Sequence, residues 1–169
     1  MTGKFNISTH VISYKTLVLE PFYSESRLGT RIYEGDQIFT VPWKPLHSVF
    51  RSCRHYGTSY KSARNNALAF LHSQQKLPIV VAYDNGLPLV VIPMMSPNSD
   101  QNTWVLFHAI VNYEATKNGC LIYLKYNKAI EINVSLATVQ RQISLATMLH
   151  SECINRFQRI NGAPFHDFY

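Results

Sequence analysis

The side chains of this sequence that are best suited to do chemistry are cations and hydroxyls between positions 51 and 64. Arg51, Arg54 and Arg64 alternate there with serine, threonine and tyrosine, and no acidic residue interrupts them. A guanidinium group binds phosphate through a planar fork or enters a narrow minor groove, and a hydroxyl donates a hydrogen bond to a phosphate oxygen. The stretch therefore predicts contact with a polyanion. The competing interpretation is a solvated basic face without a ligand.

The charge of the surrounding window supports the polyanion. Residues 37 to 83 contain no aspartate or glutamate but six lysines and arginines, and the rest of the chain carries acidic and basic residues in equal number. The whole formal net charge of +6 therefore lies in this window, where it creates a local field that favours nucleic acid. The candidate nucleic-acid-binding residues are Lys44, Arg51, Ser52, Arg54, Tyr56, Thr58, Ser59, Tyr60, Lys61, Arg64 and Asn65. For Tyr56 and Tyr60, packing in the core is the alternative role.

The sequence shows no recognisable group of catalytic residues. The sequence has no G-x-S-x-G, P-loop, G-x-G-x-x-G or H-E-x-x-H motif, and its ten acidic residues are scattered singly, so no carboxylate pair suggests acid–base chemistry. Cys53 and His55 would point about 200° apart on a helix, which favours a buried structural cysteine over a nucleophile. His150 and Cys153 lack the further ligands of a tetrahedral metal site. We therefore expect a binding protein without catalytic residues, cofactor or metal.

Length and composition bound the class of protein. The 169 residues are 46% hydrophobic, which predicts one packed domain spanning 1–169. Three cysteines at wide spacing do not make a secreted disulfide framework. Residues 1–6 lack the apolar region of a signal peptide, and the longest apolar runs, 87–95 and 103–111, are too short to span a membrane. We therefore expect a reduced, cytoplasmic protein without a membrane partner.

The strands that must support these side chains are predicted by periodicity. Alternating and β-branched stretches occur in the first third of the chain and again after Lys76. The predicted strands cover 10–19, 27–33, 37–41, 78–83, 87–92, 104–113, 120–126 and 128–134. Asn85-Gly86 and Asn118-Gly119 supply the positive φ angles of type I′ turns, so the pattern predicts antiparallel β-hairpins.

Two short central helices and a long C-terminal helix complete an α+β prediction. From 45 to 71 the apolar period changes to that of a helix, and Gly57 divides the stretch into two amphipathic halves. Thr58 or Ser59 can cap the second half. Two short helices that share a basic flank around a glycine form a helix-turn-helix-like unit. Positions 135–157 have the spacing of one long helix.

Part of the basic window resembles a known family. The stretches Lys44-Pro45-Leu46, Arg51-Ser52-Cys53-Arg54 and Tyr56-Gly57-Thr58-Ser59-Tyr60 are similar to the signature of the ComK competence transcription factors. The order continues through Leu77-Pro78-Ile79, Ile92-Pro93-Met94, Ser96 and Trp104, so that the resemblance covers roughly residues 30 to 157. It implies a bacterial cytoplasmic activator of DNA-uptake genes. Such a protein binds paired A·T-rich boxes of double-stranded DNA as a homo-oligomer, mostly through the minor groove.

Two departures from the family pattern bear on this implication. The family usually has a glycine and an arginine where this chain has Ser62 and Ala63, so the role of that arginine either falls to Arg64 or is missing. The chain also stops at Tyr169, whereas well-known members continue with a longer acidic and aromatic tail that is tied to regulated proteolysis. A proteolytic adaptor is therefore a partner that the resemblance suggests and the shorter tail leaves open. The C-terminal helix is the candidate for the oligomer contact.

Two other functions compete with duplex binding. A single-strand or RNA-binding protein without catalytic activity would use exposed tyrosines on its strands as a stacking platform. A nuclease would need clustered carboxylates, which the basic window lacks. Stacking predicts that aromatic residues dominate binding, whereas duplex binding predicts that arginines dominate.

Overall fold

The described part of the chain contains two antiparallel sheets and three α-helices, which confirms the α+β prediction. The computed structural model describes residues 10–72 and 75–162, so the predictions made on residues 1–6 and on the end of the chain at Tyr169 lie outside the described residues. In chain order the elements are β1 Thr16–Ser24, β2 Arg27–Glu34, β3 Gln37–Val41, α1 Pro45–His55, α2 Tyr60–Leu71, β4 Ile79–Asp84, β5 Leu87–Pro93, β6 Trp104–Leu106, β7 Ile110–Ala115, β8 Cys120–Leu124, β9 Lys128–Ile132 and α3 Leu136–Ile160. Six strands form one sheet in the order β3-β2-β1-β6-β5-β4, and β7-β8-β9 form a second sheet.

Most of the predicted hairpins are present. β2 pairs with β3, β4 with β5, β7 with β8 and β8 with β9, each in antiparallel orientation. The β4–β5 hairpin turns at Asn85 and Gly86, whose φ angles of +51° and +81° are those that a type I′ turn requires. Glu25 and Ser26 adopt the same left-handed backbone between β1 and β2 without a glycine. The sequence pattern did not predict that turn.

The first predicted strand, 10–19, begins only at Thr16. Ile12, which precedes it, directs both of its backbone groups to α1 instead of to a neighbouring strand. The Ile12 N–H donates to Ser52 Oγ at 2.9 Å, and the Ile12 carbonyl accepts from the Tyr56 hydroxyl at 2.6 Å. The alternation of residue types was therefore misleading, because this segment serves as an anchor for the helix.

The predicted strand 104–113 is also wrong, since it consists of two strands in different sheets. β6 pairs with β1 and β5, and a 3₁₀ turn at Phe107–Ala109 then redirects the chain into β7 of the second sheet. The ring of His108, within that turn, makes a 2.7 Å hydrogen bond with the Tyr14 carbonyl. Periodicity did not reveal the break because apolar residues stand on both sides of it.

The Asn-Gly signal at Asn118-Gly119 has a different cause from the one predicted. Neither residue has a positive φ angle. Gly119 is required by a close approach, because an added Cβ would lie 2.0 Å from the carbonyl oxygen of Ile132. The left-handed turn of this sheet occurs between β8 and β9, at Tyr126 and Asn127, with φ angles of +62° and +55°.

The predicted two-helix unit is present. Pro45 occupies the first turn of α1, and Gly57, with a φ of +86°, follows its C-terminal end. Ser59 is the N-cap of α2, because its Oγ accepts from the Ser62 N–H at 3.1 Å. The two helices pack against each other, α1 also packs on β1 and β4, and α2 also packs on β4.

The apolar faces of the helices form a common core with the sheet. Val49 and Cys53 of α1 are fully buried. Ala63 and Ala67 of α2 are no more than a few per cent exposed. The predicted C-terminal helix extends from Leu136 to Ile160 and packs on β5 and α2. The basic side chains are therefore carried on the outside of a well-packed scaffold.

Candidate nucleic-acid interface

Two basic side chains of α1, His47 and Arg51, lie beside Trp43. The Arg51 guanidinium lies over the Trp43 ring at 4.5 Å from its centroid, and the His47 ring lies 5.9 Å from the same ring. Burial, and then the charges of Arg51 and Arg54, lower the pKa of His47. Arg54 follows three residues after Arg51 on the outer surface of the same helix. We call Trp43, His47, Arg51 and Arg54 the α1 basic cluster.

Trp43 is itself held in a fixed position. Its indole N–H donates to Ser48 Oγ at 2.7 Å, and its carbonyl accepts from Thr30 Oγ1 at 2.6 Å. A cation that stacks on a fixed ring loses little further freedom when it meets a ligand. Arg51 is half-buried in this arrangement, whereas Arg54 is exposed one turn further along the outer surface of α1.

Two predicted site residues of α1 have structural partners. Ser52 is fully buried, and its Oγ donates to the Ser48 carbonyl at 2.8 Å while accepting from the Ile12 N–H. Tyr56 is 39% exposed, but its hydroxyl donates to the Ile12 carbonyl at 2.6 Å. Both side chains attach the segment before β1 to α1. Ser52 is not accessible to a ligand. The Tyr56 hydroxyl is used in a contact within the protein, as the alternative role of this residue predicts.

Lys44 lies at the start of α1 and meets an acid that the sequence window did not contain. Its Nζ is 3.9 Å from an Oδ of Asp100, and both side chains are more than half exposed. A surface pair of this kind contributes about 0–1 kcal/mol to stability and is screened by salt. Asp100 belongs to the polar segment that joins β5 to β6, so the fold brings this segment beside the N-terminal end of α1.

The predicted residues at the start of α2 differ in their exposure. Ser59 is occupied as the N-cap, and Thr58 before it is half-buried. Lys61 and Asn65 are exposed on the outer surface of α2. Lys61 is therefore accessible to a polyanion, and Asn65 is accessible to any neighbouring group on a ligand.

Tyr60 and Arg64 lie on the side of α2 that faces the segment between β5 and β6. The Tyr60 ring packs 5.0 Å from Phe50 and 6.4 Å from Trp104, measured between centroids. Burial raises the pKa of Tyr60, and the charge of Arg64 opposes that rise. Tyr60 therefore joins α1 to α2 as a packing residue and places Arg64 at the edge of a surface groove.

The contacts thus divide the predicted basic flank into two sets. The first is the α1 basic cluster, and the second is centred on Arg64 in a groove that also contains Lys76, Ser96 and Asn98. Sequence reasoning did not include Trp43 or these three groove residues among the site residues. Trp43 carried a usable signal, because an aromatic residue among cations suggests a cation–π contact. Ser96 and Asn98 carried none, since only the tertiary fold brings them to α2.

Other classes of site find little support in the described ranges, 10–72 and 75–162. No group of three His, Cys, Asp or Glu side chains within them could hold a metal ion. All three cysteines are buried and free, and no helix in this part of the chain is long and apolar enough to cross a membrane.

Comparison with known proteins identifies the family. The family model described as ComK protein matches residues 7–158. The Competence transcription factor of Bacillus subtilis (strain 168) is 23% identical over 151 residues, which are 89% of this chain and 78% of that protein. No solved structure matches the chain. Because the family model covers most of the sequence, the chain belongs to the ComK protein family.

Proposed function

We propose that this protein is a DNA-binding transcription activator of bacterial competence genes. It binds paired A·T-rich boxes of double-stranded DNA, mainly through the minor groove, as a homo-oligomer in the cytoplasm. Membership of the ComK family and the similarity to a competence transcription factor support a regulator of competence transcription. The observation that carries the DNA contact is the α1 basic cluster, with an exposed Arg54 beside an Arg51 that stacks on Trp43.

The chemistry of the cluster favours the minor groove of A·T-rich DNA. A narrow A-tract minor groove has an enhanced negative potential that attracts arginine. In the major groove, a carboxylate is the typical acceptor for the cytosine amino group, and residues 37 to 83 contain none. The cluster therefore offers the cation that a narrow groove attracts, and its own helix carries no carboxylate.

The runner-up function, single-strand or RNA binding, needs several aromatic rings on one surface. The most exposed tyrosines in the described chain are Tyr23, Tyr83 and Tyr126, at 55–58% exposure. They lie near the turns of three different hairpins. This arrangement gives no common stacking platform, so duplex binding by arginine is the better supported function.

The groove that is read can be tested by base replacement. An inosine·cytosine pair keeps the minor-groove pattern of A·T but presents a major groove like that of G·C. We expect replacement of A·T by I·C within the boxes to preserve most of the affinity. Replacement by G·C adds the guanine amino group to the minor groove and should cost about 1–3 kcal/mol per pair. Fluorescence anisotropy with the three duplexes at one salt concentration measures the difference.

A matching single strand completes this experiment. Duplexes with I·C that bind as poorly as those with G·C would assign recognition to the major groove and to the helix-turn-helix mode. Binding of the single strand more tightly than any duplex would favour the runner-up function. Equal binding to all duplexes would leave only a non-specific electrostatic contact.

The oligomer is proposed to form through α3. Met148 is 50% exposed on this helix, and Ile160 near its end is 82% exposed. A site with two boxes favours a symmetric dimer, or a pair of dimers, on the DNA. Light scattering of the free protein and of its complex with a two-box duplex should therefore show more than one copy. A protein that stays monomeric in both conditions would contradict this part of the proposal.

A further inference from the structure

A second basic surface lies between α2 and the segment that joins β5 to β6. It is a groove of about 550 Å³, which we call the α2 groove. Arg64 of α2 and Lys76, which follows α2, supply two cations. Ser96 and Asn98 supply neutral hydrogen-bonding groups from the other side, and both are exposed. None of the described residues that line the groove is acidic, so its charge is complementary to a polyanion.

One wall of the groove is held from inside the protein by Gln142 of α3. Gln142 is fully buried. Its Nε2 donates to the Lys76 carbonyl at 2.6 Å and to the Pro93 carbonyl at 2.7 Å. Lys76 has a left-handed backbone with a φ of +50°, a conformation that is uncommon outside glycine, asparagine and aspartate. The hydrogen bond from Gln142 therefore fixes the backbone that presents the lysine.

The opposite wall is held by a second buried amide. Asn102 is 2% exposed, and its Oδ1 accepts from the backbone N–H groups of Met94 and Met95 at 3.0 and 2.8 Å. These bonds close the segment that carries Ser96 and Asn98. Because Gln142 also bonds the Pro93 carbonyl at the start of this segment, the two walls are tied to one internal frame. A groove with a fixed backbone loses little conformational entropy on binding.

We propose that the α2 groove binds the phosphodiester backbone of duplex DNA while the α1 basic cluster reads the minor groove. This inference rests on the proposed function and assigns it a second contact. Arg64 and Lys76 neutralise phosphates, and the Ser96 hydroxyl and the Asn98 amide donate hydrogen bonds to phosphate oxygens. Phosphate contacts fix register and orientation without reading sequence. The groove therefore contributes affinity and salt dependence equally on A·T-rich and G·C-rich DNA.

The sharpest test changes the charge of the groove without changing its shape. Asn98→Asp is almost isosteric and places a carboxylate where the phosphate is expected. We expect about a tenfold or greater loss of affinity for A·T-rich and G·C-rich duplexes alike, because like charges at an interface repel. The matched control is Asn118→Asp in the exposed segment between β7 and β8, which should bind as the parent does.

A second pair of variants removes a positive charge. Lys76→Asn keeps a residue that tolerates the left-handed backbone but deletes the cation. If Lys76 neutralises one phosphate, the slope of log affinity against log salt should fall in magnitude by about 0.9. Lys117→Asn, at an exposed lysine of the β7–β8 segment, is the control and should leave the slope unchanged. Thermal unfolding of all four variants verifies that each one is folded.

The outcomes separate this inference from the proposed function. If the parent prefers A·T-rich duplex while Asn98→Asp and Lys76→Asn both bind as their controls do, the groove inference is overturned and the proposed function stands. If the variants lose affinity for A·T-rich DNA alone, the groove reads sequence and the phosphate assignment is wrong. If the parent binds no duplex at all, the groove inference and the proposed function are both wrong, and the measurement on the parent alone shows this.

Discussion

The α1 basic cluster and the α2 groove present their cations in two different ways. In the cluster, side chains order one another on a helix surface, since Arg51 stacks on a Trp43 ring that is fixed by Ser48. In the groove, the backbone is ordered from inside by the buried amides of Gln142 and Asn102. The order of this cluster depends on stacking between surface side chains and on the buried Ser48 that holds the ring. The groove can be disrupted without changing any residue that lines it.

The largest expected effect follows from the internal frame of the groove. Gln142→Leu keeps the approximate volume of the side chain but leaves the buried Pro93 carbonyl and the part-buried Lys76 carbonyl without this donor. Each unsatisfied carbonyl costs about 1–3 kcal/mol, so we expect the free energy of unfolding to fall by about 2–5 kcal/mol. Urea denaturation measures this loss. DNA affinity should fall as well, because Lys76 is no longer held in place.

Gln140→Leu is the control for this substitution. Gln140 is exposed on the same helix, and its replacement should change stability by less than about 0.5 kcal/mol. Should Gln142→Leu unfold at the same urea concentration as the parent, the amide would not be the frame of the groove. The comparison between the two cation surfaces would then lose its physical basis.

The next effect concerns the cluster. Arg54→Ala should weaken DNA binding and lower the magnitude of the log–log salt slope by about 0.9 while leaving stability unchanged, because Arg54 is exposed. Arg51→Ala should weaken binding to a similar degree. It should also destabilise the fold by about 0.5–1 kcal/mol, since the contact with Trp43 is lost. Salt-dependent anisotropy and urea denaturation of both variants separate the two contributions.

The exposed Lys117 in the segment between β7 and β8 provides the control, and Lys117→Ala should bind as the parent does. An Arg54→Ala variant that binds as tightly as the parent at every salt concentration would remove that residue from the interface. The same result for Arg51→Ala would mean that its stacking on Trp43 is structural only.

Cys53 tests whether the packing face of α1 is independent of its binding face. The residue is fully buried, and burial raises the pKa of its thiol to about 11. Cys53→Ala should therefore lower stability on the order of 1 kcal/mol without changing DNA affinity or stoichiometry. The native thiol should also react slowly with labelling reagents, because it is both protonated and covered. Rapid labelling of Cys53 in the folded protein would contradict this placement.

Local signals in the sequence predicted the local parts of the fold. Proline at the first turn of α1, Gly57 after its end and the Ser59 cap of α2 are all set by neighbours within a few residues. The buried stripes of the helices follow from periodicity in the same way. The prediction of one strand over residues 104–113 was wrong because the division into two sheets depends on which distant strands are available as partners.

In the candidate site, too, the contacts between residues close in sequence could be predicted and the long-range contacts could not. Arg51 and Arg54 lie on the outer part of one helix, so their proximity could be predicted from helical spacing. Ser52 accepts a hydrogen bond from Ile12, which is 40 residues away in sequence. The two carbonyls that Gln142 bonds are 49 and 66 residues away. Contacts of this range are decided by the tertiary fold. Therefore neither the burial of Ser52 nor the α2 groove could be read from spacing.

The smallest effect uses His10 as a probe of the α1 basic cluster. Burial, and secondly the charge of Arg51, lower the pKa of His10 from 6.5 to about 4, although Glu34 lies 3.8 Å from its ring. The imidazole is therefore neutral in the folded protein near neutral pH. As the pH falls from about 6.5 towards 4, the unfolded chain binds a proton that the folded chain does not. The free energy of unfolding then decreases by about 1.4 kcal/mol per pH unit from this group.

Removing the charge of Arg51 should narrow the pH range over which His10 lowers the stability. Arg51→Ala should raise the pKa of His10 only partway to its ordinary value, because burial is the larger cause and persists. Arg64→Ala, in the α2 groove, should leave the His10 titration unchanged. NMR titration of the His10 ring measures both, and urea denaturation at several acidic pH values should show a smaller total loss of stability in Arg51→Ala, because the loss begins near the same pH but ends at a higher one. If both variants shifted His10 equally, the two cation surfaces would share one electrostatic field and would not act as separate contacts.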